Sequence, residues 1–226
     1  MRQKEISLNI RPLDDAYGED HMISSWDTPM RPDAFDLSDE EKIERIEKSV
    51  RDIMVTLGLD LTDDSLSGTP KRVAKMYVKE VFSGLNPHNR PQTKLFDNKY
   101  KYDQMLVEKE ITFYSHCEHH LVPIYGRAHV AYLSSGKVIG LSKINRIVQY
   151  YAKRPQVQER LTVQIGKELE RILKTDSVGV VIDANHMCVA MRGVGDTNSK
   201  TGTAYFSGKF KDENTKREFL NFINSK

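Results

Sequence analysis

The chain reads as an α+β protein: an antiparallel sheet backed by two helices, with an N-terminal helical segment in front of it. Three observations predict this. Apolar residues recur every three or four positions between residues 38 and 84, the period drops to two between 107 and 133, and two helical stretches then separate those runs from two later strand-like ones. Strands followed by helices followed by strands, without a strict βαβ alternation, indicate an antiparallel sheet.

The first 35 or so residues are polar and irregular, which suggests an arm ordered only where a partner covers it. A helix is expected from Ser38, because Ser38-Asp39-Glu40-Glu41 forms a capping box, and Ile43, Ile46, Val50, Ile53 and Leu57 supply its apolar face. Gly68-Thr69-Pro70 opens another, with Thr69 as N-cap and Pro70 at the first helical position; Val73, Met76, Tyr77 and Val81 follow, and the run ends near Gly84. Two prolines and two asparagines in 86–92 mark the internal boundary. Residues 1–92 are therefore read as arm and helical segment, and 93–226 as the α+β domain.

Beyond the boundary, Val107, Ile111 and Phe113 alternate with Glu108, Glu110 and Thr112, and a second strand run, 127–133, ends at a hairpin-like Ser134-Ser135-Gly136. Ser142 can cap a helix through Tyr151 that stops before Pro155. The next helix, from about Gln156 to Leu173, carries Leu161, Ile165, Leu169 and Ile172 on one face. A buried-looking strand, 178–182, leads to His186 and Cys188, a further strand runs over 203–206, and a last helix starts at Asp212.

Bulk properties exclude several classes. With 226 residues, 38% hydrophobic and 29% charged, the chain can bury a substantial core. Its formal charge of +2 gives no global attraction for nucleic acid or membrane, so any anion must be gripped by local cations. No apolar run approaches membrane length, and Met1-Arg2-Gln3-Lys4-Glu5 lacks a signal-peptide core, so a cytoplasmic location is expected.

Cys117 and Cys188 are the only two cysteines, and both sit in histidine-rich runs, Ser115-His116-Cys117-Glu118-His119-His120 and Asn185-His186-Met187-Cys188. Thiolate and imidazole are the ligands that borderline-soft zinc prefers. A helical turn would place Cys117 and His120 on one face and point His119 elsewhere, and a strand would put His186 and Cys188 on a common face. The candidate ligands are thus Cys117, His120 and Cys188, with His119 and His186 beside them. A disulfide, two inert buried thiols and a closed structural Cys2His2 site are the competing readings. The surplus of histidines favours an open site, since a closed one uses only two.

The runs Gly68 to Met76, Ser115 to Pro123, Gly140-Leu141-Ser142-Lys143, Arg154 to Thr162, His186-Met187-Cys188 and Arg192-Gly193 resemble GTP cyclohydrolase I in order and spacing, over roughly residues 40 to 226. The resemblance implies a tunnelling fold whose subunit sheets join edge to edge, a homodecamer of two stacked pentamers, and conversion of GTP to 7,8-dihydroneopterin triphosphate and formate, the first step toward folate and other pterins. It assigns Zn2+ to Cys117, His120 and Cys188, proton traffic to His119 and His186 with Gln158 among the catalytic residues, and the guanine edge to Glu159. Ser142, Lys143, Arg146 and Arg192 fall at substrate-binding positions, with Arg72 and Lys75 as contributors. On residues alone, Glu159 is an ordinary first-turn carboxylate, and each of these cations is a solvated surface charge. Lys143 and Arg146 do stand three apart near a helix N-terminus, a plausible anion site. Arg72 and Lys75 are expected to reach a zinc site built by another subunit.

Two other functions remain open. A reductase acting through a cysteine nucleophile on a deazaguanine nitrile would need a nicotinamide cofactor, and no Gly-rich dinucleotide motif is present. A zinc-stabilised purine- or pterin-binding protein of the same fold would keep the metal and hydrolyse nothing.

Overall fold

The computed structural model describes residues 25–225, so the first 24 residues of the expected arm lie outside it. The part of the arm that is described rests on the chain's own helices. Asp27 accepts hydrogen bonds from Arg154 (3.0 Å) and Gln164 (2.5 Å), and the Arg160 Nε–H donates to the Ser25 carbonyl at 2.8 Å.

Helix α1 (Asp39–Thr56) starts as its sequence demands: the Ser38 hydroxyl accepts from the Glu41 N–H, and the Glu41 carboxylate takes the Ser38 N–H at 2.8 Å. Its buried residues are Ile43 and Met54, with Ile46 and Val50 half-buried. Ile53 and Leu57, expected on that face, are 60% and 73% exposed. From Ile43 an eleven-residue step returns to the same face at Met54, whereas Ile53 is turned about 80° away from it and Leu57 is the C-cap beyond the helix's last residue. After a short α2 (Asp64–Ser67), α3 (Thr69–Met76) begins at Thr69 itself, the residue expected to cap it: Gly68 is the N-cap, and the Thr69 hydroxyl accepts from Arg72 instead. The helix continues as a wider π-type turn, Tyr77–Val81, and a tight turn, Ser83–Leu85. Gly84 is required there, because a Cβ would lie 2.0 Å from the Tyr150 carbonyl oxygen.

Strand β1 (Leu95–Asp97) pairs with β4 (Lys137–Ile139). The turn at Ser134–Gly136 therefore does not fold β4 back on the strand before it. The main sheet has the order β5-β2-β3-β6-β7, with β2 Leu106–Cys117, β3 Pro123–Tyr132, β5 Pro155–Gln156, β6 Val178–His186 and β7 Thr201–Phe206. All neighbours are antiparallel except the two-residue β5, which runs parallel to the end of β2.

Helices α4 (Leu141–Ala152) and α5 (Gln158–Leu173) cover one face, where Ile111, Phe113, Val180 and Ile182 meet Ile144, Leu161, Ile165 and Leu169. The short α6 (Met187–Ala190) follows β6, and α7 (Glu213–Asn224), capped by Asp212, closes part of the other face with Phe210 and Phe219. This explains the unbroken apolar run of β6: Val178, Val180 and Ile182 face α4 and α5, while Val181 packs toward Phe210 and Phe219. Neither Ser142 nor any other side chain caps α4, whose N-cap is Gly140 and whose second residue is Ser142.

One irregularity corrects the alternation read in β2. The register shifts by one residue between Glu108 and Ile111, so Lys109 and Glu110 together oppose His129, and Glu110 takes φ +61°. Val107 is thereby turned to the Phe210 and Phe219 side, opposite Ile111 and Phe113. The bulge frees Lys109 to cap α7, its ammonium donating to the carbonyls of Phe222 (3.2 Å) and Ser225 (2.7 Å).

Candidate metal centre

The centre forms where β2 and β6, the two strands that flank β3, end at the same margin of the sheet. At Cys117 the chain leaves β2 through a single closed turn, the Leu121 N–H donating to the Cys117 carbonyl at 2.8 Å with Leu121 at φ +53°. Strand β6 ends at His186, and Cys188 lies in the first turn of α6, so the two do not share a strand as their spacing had suggested. The candidate ligand atoms of Cys117, His120 and Cys188 all lie within 4.8 Å of one another. Zinc with bonds of about 2.0–2.3 Å holds its ligands ~3.3–3.8 Å apart, so this group needs only a small contraction to hold a metal. Two thiols and one imidazole also form a donor set suited to a borderline-soft cation.

The turn does not point His119 away from the centre. Its Nδ1 lies 3.8 Å from Cys117 Sγ, against 3.9 Å for His120 Nδ1, and its Nε2 is 3.8 Å from a Glu118 oxygen. His120 alone of the two belongs to the group that also reaches Cys188. Glu118 is fixed by a two-pronged bond from buried Arg160, at 2.5 and 3.0 Å, which fastens the turn to α5. Neither Glu118 nor Arg160 was singled out from sequence; they stand 42 residues apart, and no spacing rule links them.

Electrostatics follow from burial. Burial pushes the Cys188 thiol up, and its neighbour Cys117 adds to the effect. His186 is held below its ordinary value of 6.5 by burial, opposed by the charge of Glu159, so the ring is neutral at pH 7. Its Nε2 lies 2.7 Å from Oε1 of Gln158, a side chain that is only 2% exposed. His116, the remaining histidine of the motif, stacks edge-on against Phe82 at 5.2 Å rather than joining the group.

Among the expected anion contacts, Arg192 stands at the centre, with Nη1 3.0 Å from His120 Nε2. Glu159 is an exposed carboxylate in the first turn of α5. Lys143 follows Ser142 in the first turn of α4, and one turn later Arg146 lines a shallow cavity of about 290 Å³ with Gln149, Lys153 and Asn89. Arg72 folds back on its own helix start, donating to the Ser65 carbonyl and the Thr69 hydroxyl, and Lys75 sits in the last turn of α3. No hydrogen bond among the described residues links these four to the Cys117, His120 and Cys188 group.

A family model described as GTP cyclohydrolase I matches residues 46–224. GTP cyclohydrolase 1 of Flavobacterium johnsoniae is 64% identical over 216 residues, 96% of this chain and 97% of that protein. GTP cyclohydrolase 1 of Vibrio parahaemolyticus is 54% identical over 195 residues, 86% of this chain and 89% of that one. Among solved structures, an archaeosine synthase QueF-like protein in its apo form aligns with 48% of this chain and 97% of its own at 18% identity and a TM-score of 0.40. On the family match and the near full-length identities, the chain belongs to the GTP cyclohydrolase I family, hydrolases that act on cyclic amidines.

Proposed function

We propose that this enzyme is zinc-dependent and opens the imidazole ring of GTP, giving 7,8-dihydroneopterin triphosphate and formate as the first step toward folate and other tetrahydropterins. The observation that carries the proposal is the gathering of two thiols and an imidazole within 4.8 Å, in a chain of this family, at the meeting of β2, β6 and α6. Water adds at C8 and breaks one C–N bond, a second water releases C8 as formate, and closing the new ring after ribose rearrangement returns one water. The net reaction consumes one.

Cys117, His120 and Cys188 would hold Zn2+, which when bound supplies an acidified water, with a pKa near 7, as the nucleophile. Proton transfer falls to His119 and His186. His186 is neutral at pH 7 and so has a lone pair to take a proton and can return it, as ring opening and the ribose rearrangement both require. Glu159, whose charge reaches His186, offers an acceptor for the N–H edge of guanine. Arg192 stands where a phosphate beside the centre could bind it, and Ser142, Lys143, Arg146, Arg72 and Lys75 complete the triphosphate site.

The assembly in this reading is a homodecamer of two pentamers with the tunnelling fold, located in the cytoplasm, its chain divided at residue 92. Support comes from the sheet margins: β5 covers only His116 and Cys117 of β2, and β7 is the last strand, so both edges can accept a neighbour. Among the described residues, no helix is long and apolar enough to cross a membrane.

The test joins metal analysis of the purified protein to its reaction with GTP. One zinc per chain, with formate and a fluorescent oxidised neopterin formed in equal amounts, is the expected result. Zinc and GTP bound without formate would show a binding protein instead.

A further inference from the structure

The hydrogen bonds around Gln158 fix the position of a proton that no single contact reveals. Its Nε2 lies 3.1 Å from the Ile182 carbonyl and 2.7 Å from the Thr201 carbonyl, and carbonyl oxygens only accept. That end of the amide is therefore the NH2 group. A third contact, to Thr203 Oγ1 at 3.1 Å, closes a ring. Thr162 spends its hydroxyl proton on the Gln158 backbone carbonyl at 2.8 Å, so in the 2.7 Å contact between the two threonines Thr203 must donate, and its oxygen shares one of the two amide hydrogens of Gln158 with a carbonyl.

With the amide so oriented, the atom facing His186 Nε2 at 2.7 Å is Oε1, which also only accepts. His186 Nε2 must then carry a hydrogen, and the neutral ring has its single lone pair on Nδ1. Gln158 itself is 2% exposed with both ends of its amide engaged, so it is built to act on a neighbour rather than to touch substrate.

We infer that Gln158 is a positioning residue acting through His186: it fixes the orientation of the imidazole and keeps a hydrogen on Nε2, so that Nδ1 is the ring nitrogen left for the reaction. The start of β7 sets this arrangement, through Thr201 and Thr203. The inference deepens the proposed function, because it takes His186 as a residue of that reaction site.

The experiment uses the zinc-loaded protein labelled with 15N-histidine, with His186 assigned by its loss from a His186→Asn spectrum. In the wild type, Nε2 of His186 should appear protonated and Nδ1 unprotonated. Gln158→Met should let the ring adopt the other tautomer, and kcat should fall about 10- to 100-fold, the usual effect of losing such a support, with zinc content and KM unchanged. Gln158→Glu keeps an acceptor opposite Nε2 in either protonation state, so it should keep the tautomer and most of kcat. A wild-type ring protonated on Nδ1, or wild-type kcat in zinc-loaded Gln158→Met, overturns the inference. So does a loss of kcat in Gln158→Met with the tautomer unchanged, which would mark a merely structural role. Should Gln158→Met fail to fold, the wild-type spectrum and Gln158→Glu still decide, since Gln158→Glu with the tautomer kept and kcat lost is also contrary. A wild type that releases no formate would remove the proposed function and leave the nitrogen spectrum to judge the tautomer.

Discussion

Replacing Cys188 with Ser exchanges a thiolate for a neutral hydroxyl, a far weaker ligand for zinc. Cys117→Ser and Cys188→Ser should therefore lose metal and activity together, while their circular dichroism matches that of the metal-free wild type. Full activity in zinc-free Cys188→Ser would end the metal mechanism. The two adjacent imidazoles make a finer test, because both approach Cys117 Sγ to nearly the same distance, 3.8 against 3.9 Å. His119→Ala should keep zinc and lose about 10²- to 10⁴-fold in kcat, the span of a positioned acid or base, whereas His120→Ala should lose the metal. Zinc lost from His119→Ala and kept by His120→Ala would exchange the two roles. The gathering of Cys117, His120 and Cys188 could be anticipated from sequence because thiol and imidazole chemistry survives without coordinates: Cys117 and His120 are local, and Cys188 is the only other thiol. What fixes these residues could not be read. Gln158 lies 28 residues from His186 and Arg160 lies 42 from Glu118, and each pair meets only because α5 lies against the strand ends.

Elements were legible where a local interaction defines them. The Ser38 capping box and the Asp212 cap are complete within four residues, and both helices begin there. Thr69 and Ser142 lie one and two residues inside their helices, because the glycine before each takes the cap position. The face of Val107 was misread because a bulge adds a residue without altering the alternation upstream or downstream of it. That bulge has an energetic consequence at His129, which is 2% exposed and accepts the Glu110 N–H on Nδ1 at 3.3 Å. Burial, the largest influence, holds its pKa below 6.5; Glu110 and Asp183 oppose the shift, and Lys109 and Arg127 reinforce it. Above pH 6.5 the ring is neutral whether the chain is folded or not. Below it, the unfolded state binds the extra proton first, so stability falls as pH drops toward the lowered folded value. His129→Asn keeps an acceptor but cannot titrate. Urea unfolding at about pH 5 and pH 7 should show a larger loss on acidification in the wild type than in this variant, with the other histidines common to both. Equal losses would mean that His129 is not neutral in the fold.

In the whole molecule, the expected phosphate cations divide into two sets. Arg192 stands at the metal group, whereas Arg72 is bonded to its own helix start, Lys75 lies at the other end of that helix, and Arg146 lines a separate cavity beside Lys153. A triphosphate needs several of these charges at once. The open margins of β2 and β7 allow neighbouring chains to approach, and we therefore expect the pocket to be completed between subunits, with Arg72 and Lys75 serving a metal centre on another chain. Mixing subunits tests this whatever the size of the ring. Arg72→Ala subunits carry intact metal ligands and Cys188→Ser subunits carry intact cations, so a mixed oligomer contains some interfaces where both halves are correct. Each variant alone should be nearly inactive. Refolded together, they should recover a fraction of wild-type activity that follows the proportion of mixed interfaces, with zinc bound in proportion to the Arg72→Ala subunits present. If mass spectrometry shows mixed oligomers that stay as inactive as their parents, Arg72 serves its own subunit's pocket or binds no phosphate. Its bonds to Ser65 and Thr69 would then be its whole role, fastening the start of α3.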